Sequence, residues 1–74
     1  MNSELAGRID GAINELPEDL RVAVILRDVQ GLSNQEAADT LDVSVSALKA
    51  RLHRGRIALR DSLETYVAER AKND

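Results

Sequence analysis

A chain of 74 residues with one aromatic residue and no cysteine describes one small domain, whose core must consist of aliphatic side chains. The lack of cysteine excludes a disulfide framework and a cysteine-based metal site. No stretch has the length and apolarity of a membrane span, and the N-terminus lacks the layout of a signal peptide. A cytoplasmic protein without membrane contact is therefore expected.

Two helices are predicted ahead of the central part of the chain. The first spans about residues 3–15, because Ser3 suits an N-cap and apolar residues then recur at helical spacing. Pro17 separates the two, since proline disfavours helix at the residue before it and suits the first position of a new helix. The second helix spans about residues 18–30 and ends at Gly31, a favourable C-terminal cap.

The second helix is apolar on more than one face. Its apolar residues are Leu20, Val22, Ala23, Val24, Ile25, Leu26 and Val29. One interpretation is a central helix that packs on two sides. The other is a groove, formed with the first helix, that binds a helix of a partner protein.

A helix-turn-helix is predicted next, with helices at about residues 33–40 and 44–70. Ser33 and Glu36 have the spacing of a capping box, which marks the start of the first of these helices. Asp42 can adopt the left-handed conformation that ends it, and Ser44 suits the N-cap of the last helix. The fold class expected is a small all-α domain of four helices with a C-terminal, winged-helix-like helix-turn-helix.

Positive charge is concentrated on the last predicted helix. Residues 1–43 carry a net charge of −6, residues 44–60 of +5 and residues 61–74 of −2. A charged face of this kind is often only solvated. Because the other helices mix both signs whereas residues 44–60 hold no acid, we interpret this helix as a binding surface for a polyanion.

Catalysis is not indicated by any group of residues. His53 is the only histidine and has no carboxylate within one turn of its helix, so neither a metal site nor a general base is predicted there. Glu18 and Asp19 are adjacent and point apart, and they suit the first turn of a helix by their charge. The sequence predicts no enzyme, no metal and no cofactor.

Three motifs carry a resemblance to a known family. They are LP-x-x-x-R at residues 16–21, GLS-x-x-E-A-A from Gly31, and LKARLHRGR-x-ALR ending at Arg60. Over about residues 13–63 the chain resembles region four of the extracytoplasmic-function (ECF) sigma factors. This resemblance implies recognition of the minus-thirty-five promoter element for bacterial RNA polymerase, and we expect residues 1–74 to be one such domain within a longer sigma factor.

The resemblance, together with the position of the cations, gives a candidate DNA-binding set on the last helix. Its N-terminal turns are expected in the major groove, where lysine and arginine favour the O6 and N7 atoms of guanine. The set consists of Ser44 and Ser46 near phosphate, Lys49, Ala50, His53 and Arg54 at base edges, and Arg51 and Arg56 at phosphates. Four contacts to phosphate would give a salt slope of about −3.6.

The resemblance also implies a protein-binding surface on the second helix. In that family the groove receives the flap-tip helix of the polymerase β subunit, and anti-sigma factors cover the same surface. The candidate interface residues are Leu20, Val24, Ile25 and Val29.

Two alternative functions remain open at this point. One is the DNA-binding output domain of a LuxR-type transcriptional regulator, which is similar in size and also contains a helix-turn-helix. The other is a protein-interaction module whose basic helix binds an acidic protein and never contacts DNA. Binding to polymerase distinguishes the first from a sigma factor, and indifference to DNA sequence distinguishes the second.

Overall fold

The computed structural model describes residues 3–72; Met1, Asn2, Asn73 and Asp74, the ends of the predicted domain, lie outside the described residues. The described part contains no strand and four helices. They are α1 (Ser3–Glu15), α2 (Glu18–Val24) with a π-helical continuation (Ile25–Val29), α3 (Asn34–Leu41) and α4 (Val45–Lys72). The predicted all-α, four-helix fold is confirmed.

The end of the second helix differs from the continuous α-helix predicted there. From Ile25 to Val29 the chain forms a wider π-helical turn, here called the π turn, whose last hydrogen bond joins the Gln30 N–H to the Ile25 carbonyl at 2.9 Å. Gly31 then adopts a φ of 77°, as expected of a C-terminal cap. The added residue per turn changes which side chains of this segment face the neighbouring helices.

The π turn is fixed to the start of α3 by one arginine. Arg27 donates from Nε to Asn34 Oδ1 at 2.6 Å and from Nη1 to the Leu32 carbonyl at 3.0 Å. The Leu32 N–H in turn donates to the Leu26 carbonyl at 3.0 Å. These side-chain and backbone bonds connect residues that are five to seven positions apart, so they set the angle at which α3 leaves α2.

Helix α2 is the centre of the core. Ala23 and Val24 are 0% and 1% exposed, and α2 packs against both α1 and α4. The buried cluster consists of Leu16, Ala23, Val24, Ala37, Ala38, Leu48 and Leu52. The wide apolar surface predicted for the second helix is therefore used mainly within the domain itself.

Helices α1 and α4 run antiparallel and meet through polar side chains. Arg8 donates from Nη2 to the Ser62 carbonyl at 3.3 Å, and its guanidinium lies 5.9 Å from the centroid of the Tyr66 ring. Glu4 forms an exposed ion pair with Arg70 at 3.0 Å. These contacts position α1 along the C-terminal half of α4.

Helix α4 crosses α2 at Gly55, which is buried. A Cβ atom at this position would lie 2.8 Å from Cγ2 of Val24 and 3.7 Å from Leu20 Cβ. Real Cβ atoms do not approach a methyl group so closely, so the glycine is what permits this contact between the helices. The close crossing fixes the position of α4 relative to the rest of the domain.

Gly55→Ala is expected to destabilise the domain by about 1–2 kcal/mol, because the cost of overpacking exceeds the helix propensity gained. In a Val24→Ala background, where the methyl groups are absent, the same substitution should instead stabilise by up to ~1 kcal/mol. Urea unfolding of the unaltered chain, the two single variants and the double variant measures both changes in the free energy of unfolding. An effect of the same sign in both backgrounds would contradict the crossing geometry.

Candidate nucleic-acid interface

The helix-turn-helix begins with the predicted capping box. Ser33 Oγ accepts a hydrogen bond from the Glu36 N–H at 3.1 Å, and Glu36 Oε1 accepts one from the Ser33 N–H at 2.9 Å. The bonds from Ser33 hold the pKa of the Glu36 carboxyl below its usual value. Two of the N–H groups that lack partners inside the helix are thereby satisfied at the start of α3.

The turn between α3 and α4 consists of the three residues 42–44. Asp42 adopts the left-handed conformation, with φ 56° and ψ 47°, and the following Val43 N–H donates to the Ala38 carbonyl at 3.0 Å. Ser44 then caps α4 by accepting the Ala47 N–H on its Oγ at 3.0 Å. The predicted roles of Asp42 and Ser44 are both confirmed by these geometries.

One face of α4 is buried and the opposite face is free. Leu48, Leu52 and Gly55 lie inside, against α2 and α3. Of the predicted DNA-binding residues, Ser44, Ser46, Lys49, Ala50, His53, Arg54 and Arg56 are exposed and Arg51 is half-buried. Positions three and four apart share a face of a helix, so one continuous exposed strip is formed by Ser46, Lys49, Ala50, His53 and Arg54.

The structure divides the five cations of residues 44–60 into two groups. Arg56 forms an ion pair with Asp28 of the π turn at 2.6 Å, and Arg60 lies 3.6 Å from Asp61 and 3.9 Å from Glu64. Within residues 3–72, Lys49, Arg51 and Arg54 form neither an ion pair nor a side-chain hydrogen bond. Among these five cations, the unpaired ones therefore all lie in the first three turns of α4.

Asp28 is the acidic partner that the sequence did not indicate. The hydrogen bond from Arg56, aided by the charges of Arg56 and Arg27, lowers the pKa of Asp28 from its usual value, and the same bond raises the pKa of Arg56. The ion pair therefore stabilises the fold at pH values above the pKa that Asp28 has in the unfolded chain. This stabilisation is lost only as the pH falls through the lower pKa that Asp28 has in the folded chain. Because both side chains are largely exposed, it amounts to about 0.2–1 kcal/mol.

The residues predicted to bind a partner protein differ in their exposure. Val29 is 64% exposed, and Leu20 and Ile25 are half-buried. Val24 is only 1% exposed, so its side chain offers no surface to a partner in this structure. The reason is the crossing at Gly55, which covers the side of α2 that carries Val24.

A second apolar surface lies along the outer half of α4. Leu59, Leu63, Val67 and Ala71 follow one another at helical spacing and line an open cavity, and Val67 is 62% exposed. The apolar period of about 3.6 residues in the sequence predicts these leucines and Val67 on the core-facing side of the helix. Of these residues, only Leu59 packs against the buried cluster.

The described residues offer neither a group of metal ligands nor a membrane-spanning helix. Within residues 3–72, no three histidine, aspartate or glutamate side chains lie close enough to hold a metal ion. None of the helices in the same range combines the length and the apolarity needed to cross a bilayer, despite the 28 residues of α4.

Comparison with known proteins agrees with this geometry. Residues 6–59 match the family described as sigma-70, region 4. The chain is 39% identical over 72 residues to the ECF RNA polymerase sigma factor SigE of Mycolicibacterium smegmatis, covering 97% of this chain and 28% of that protein. It is 34% identical over 67 residues to the ECF RNA polymerase sigma-E factor of Escherichia coli K12, covering 90% of this chain and 35% of that protein.

The sigma-E factor of Haemophilus influenzae is 33% identical over 64 residues, with 86% of this chain and 34% of that protein covered. The chain spans about a third of the length of these relatives. The match of residues 6–59 includes the helix-turn-helix, the close crossing at Gly55 and the unpaired cations of α4. The chain belongs to the sigma-70 region 4 family.

Proposed function

We propose that this chain recognises the minus-thirty-five element of promoter DNA during transcription initiation, with the N-terminal turns of α4 in the major groove. The observation that carries the proposal is the set of unpaired cations, Lys49, Arg51 and Arg54, which stand on the exposed side of a capped helix. The N-terminus of α4 offers N–H groups and a positive dipole end to a phosphate near Ser44 and Ser46. The function is one of binding in the cytoplasm and requires no catalytic group.

The residues of the exposed strip divide by the kind of DNA contact each can make. Lys49 and Arg54 have side chains long enough to reach the acceptor atoms of guanine in the groove. His53 and Ala50 lie between them on the strip and limit how deeply the helix enters. Arg51, at the edge of the strip, suits a phosphate, which sets the position of the helix without reading sequence.

The proposed partner on the protein side is the flap of the RNA polymerase β subunit. Leu20, Ile25 and Val29 leave apolar surface accessible where α2 passes into the π turn, and Val29 is the most exposed of the three. A short amphipathic helix from the flap would bury this surface. An anti-sigma factor that covers the same residues would compete with the polymerase.

Fluorescence anisotropy tests the DNA part of the proposal. The chain is titrated onto a labelled duplex with the GGAAC motif, common in the resembled family, and onto a scrambled duplex, between 50 and 200 mM salt. We expect tighter binding to the GGAAC duplex and a salt slope of about −0.9, because Arg51 is the cation proposed to contact a phosphate. Equal binding to both duplexes would favour a protein-interaction module instead.

A pull-down with the isolated β flap tests the polymerase part. Val29→Asp introduces a charge at an exposed site and should abolish capture of the flap without unfolding the chain. The matched control is Val67→Asp, which places the same charge on an equally exposed valine of α4. Loss of capture in both variants, or in neither, would contradict the proposed position of the flap.

A further inference from the structure

The side chain of Arg56 is held by a carboxylate of another helix. Its Nε donates to Asp28 Oδ2 at 3.0 Å and its Nη2 donates to Asp28 Oδ1 at 2.6 Å. This pair of parallel bonds occupies one edge of the guanidinium, which is the kind of edge that forks around a phosphate. The sequence predicted a phosphate contact for Arg56, whereas the structure gives the residue a partner within the domain.

The backbone is fixed on both sides of this ion pair. Next to Asp28, Arg27 ties the π turn to Asn34 and to the Leu32 carbonyl. Next to Arg56, Gly55 brings α4 into close contact with α2. The two charged groups therefore meet without any further ordering of the backbone. The ion pair costs less conformational entropy than a contact that must first immobilise a free side chain.

The pair nevertheless remains accessible to solvent. The side chains of Arg56 and Asp28 are 50% and 37% exposed, so a phosphate near α4 could compete for the guanidinium. A phosphate contact of Arg56 would be offered by every DNA sequence equally, because the backbone carries no sequence information. A carboxylate that keeps Arg56 from this phosphate contact therefore lowers the affinity of the chain for every DNA sequence.

We propose that Asp28 is a positioning residue, which retains the Arg56 guanidinium within the domain and keeps it from contacting the DNA backbone. The proposal rests on the proposed function, since it concerns the DNA contacts of α4. The phosphate contact then comes from Arg51, in the N-terminal turns of α4, which has no acidic partner within residues 3–72. Arg56 contributes to DNA binding by holding α4 against the π turn.

Four chains test the proposal: the unaltered chain, Asp28→Asn, Arg56→Gln and the double variant. The salt dependence of the dissociation constant for the scrambled duplex is measured between 50 and 200 mM. Asp28→Asn should bind more tightly and steepen the slope by about 0.9, a further ~3.5-fold loss of affinity over that salt range. Arg56→Gln should leave the slope of the unaltered chain unchanged, and the double variant should behave like Arg56→Gln.

Asp10→Asn is the control for the loss of a negative charge, because Asp10 is an exposed acid on α1 that forms no ion pair within residues 3–72. It should not steepen the slope. Circular dichroism melts of all variants show whether each remains folded. A steeper slope that persists in the double variant would overturn the role of Arg56.

Two other results would overturn the proposal. A flatter slope in Arg56→Gln would show that Arg56 contacts phosphate despite Asp28. An unchanged slope in Asp28→Asn, with the unaltered chain still preferring the GGAAC duplex, would reject the role of Asp28 and leave the proposed function intact. If the unaltered chain binds neither duplex, the proposed function and the role of Asp28 fall together.

Discussion

Leu48→Ala is expected to lower the free energy of unfolding by about 3–5 kcal/mol, the largest effect on stability of any substitution considered for this chain. Leu48 is 0% exposed and, with Val24, has the largest side chain among the fully buried residues. A domain of this length has a stability of about 4–11 kcal/mol, so the substitution removes a large part of it. Urea unfolding followed by circular dichroism measures the change.

Val67→Ala is the matched control for Leu48→Ala. Both residues are aliphatic and lie on α4, but Val67 is 62% exposed. Its truncation should change stability by less than about 0.5 kcal/mol, since no cavity forms and alanine favours the helix. A cost below about 1.5 kcal/mol for Leu48→Ala would show that α3 and α4 do not pack around Leu48.

Arg54→Ala is expected to weaken binding to the GGAAC duplex by about 5- to 150-fold and to reduce the preference over the scrambled duplex, because a side chain that reads a base contributes about 1–3 kcal/mol of discrimination. Arg51→Ala should weaken binding to both duplexes by the same factor and flatten the salt slope by about 0.9. Anisotropy titrations of the two variants on both duplexes separate the two roles.

Arg70→Gln controls for the loss of one positive charge on α4. Arg70 lies near the C-terminal end of the helix, where it pairs with Glu4. Its replacement should change the affinity for either duplex by less than twofold at 150 mM salt, because charges farther apart than about 8 Å are screened. Equal effects of Arg51→Ala and Arg54→Ala on the ratio of the two affinities would contradict the assignment of Arg54 to a base.

The caps and the turn were predictable from the sequence because they depend on residues close together in the chain. The bonds between Ser33 and Glu36, and from the Ala47 N–H to Ser44, each join residues three positions apart. Asp42 needs only its own backbone conformation to end α3. The position of α4 in the sequence follows from these local signals, together with the block of positive charge after them.

The features that position α4 were not predictable in the same way. The π turn depends on Arg27 meeting Asn34, and the state of Arg56 depends on Asp28, which is 28 positions away. Likewise, Val24 became a core residue only because Gly55 allows α4 to approach α2. A one-dimensional pattern marks Arg56 as basic and Val24 as apolar, but the partner of each is set by how the helices cross.

The outer half of α4 has a consequence for the local stability of the domain. The molecule is 46 Å long and 19 Å wide, and no residue of the α4 segment 61–72 is fully buried, while its polar contacts with α1 are exposed or partly exposed. Amide hydrogens in the last turns should therefore exchange with solvent through local opening, whereas those around Leu48 and Leu52 should exchange only when the whole domain unfolds. The same helix thus combines a rigid half that is proposed to read DNA with a half that can open independently.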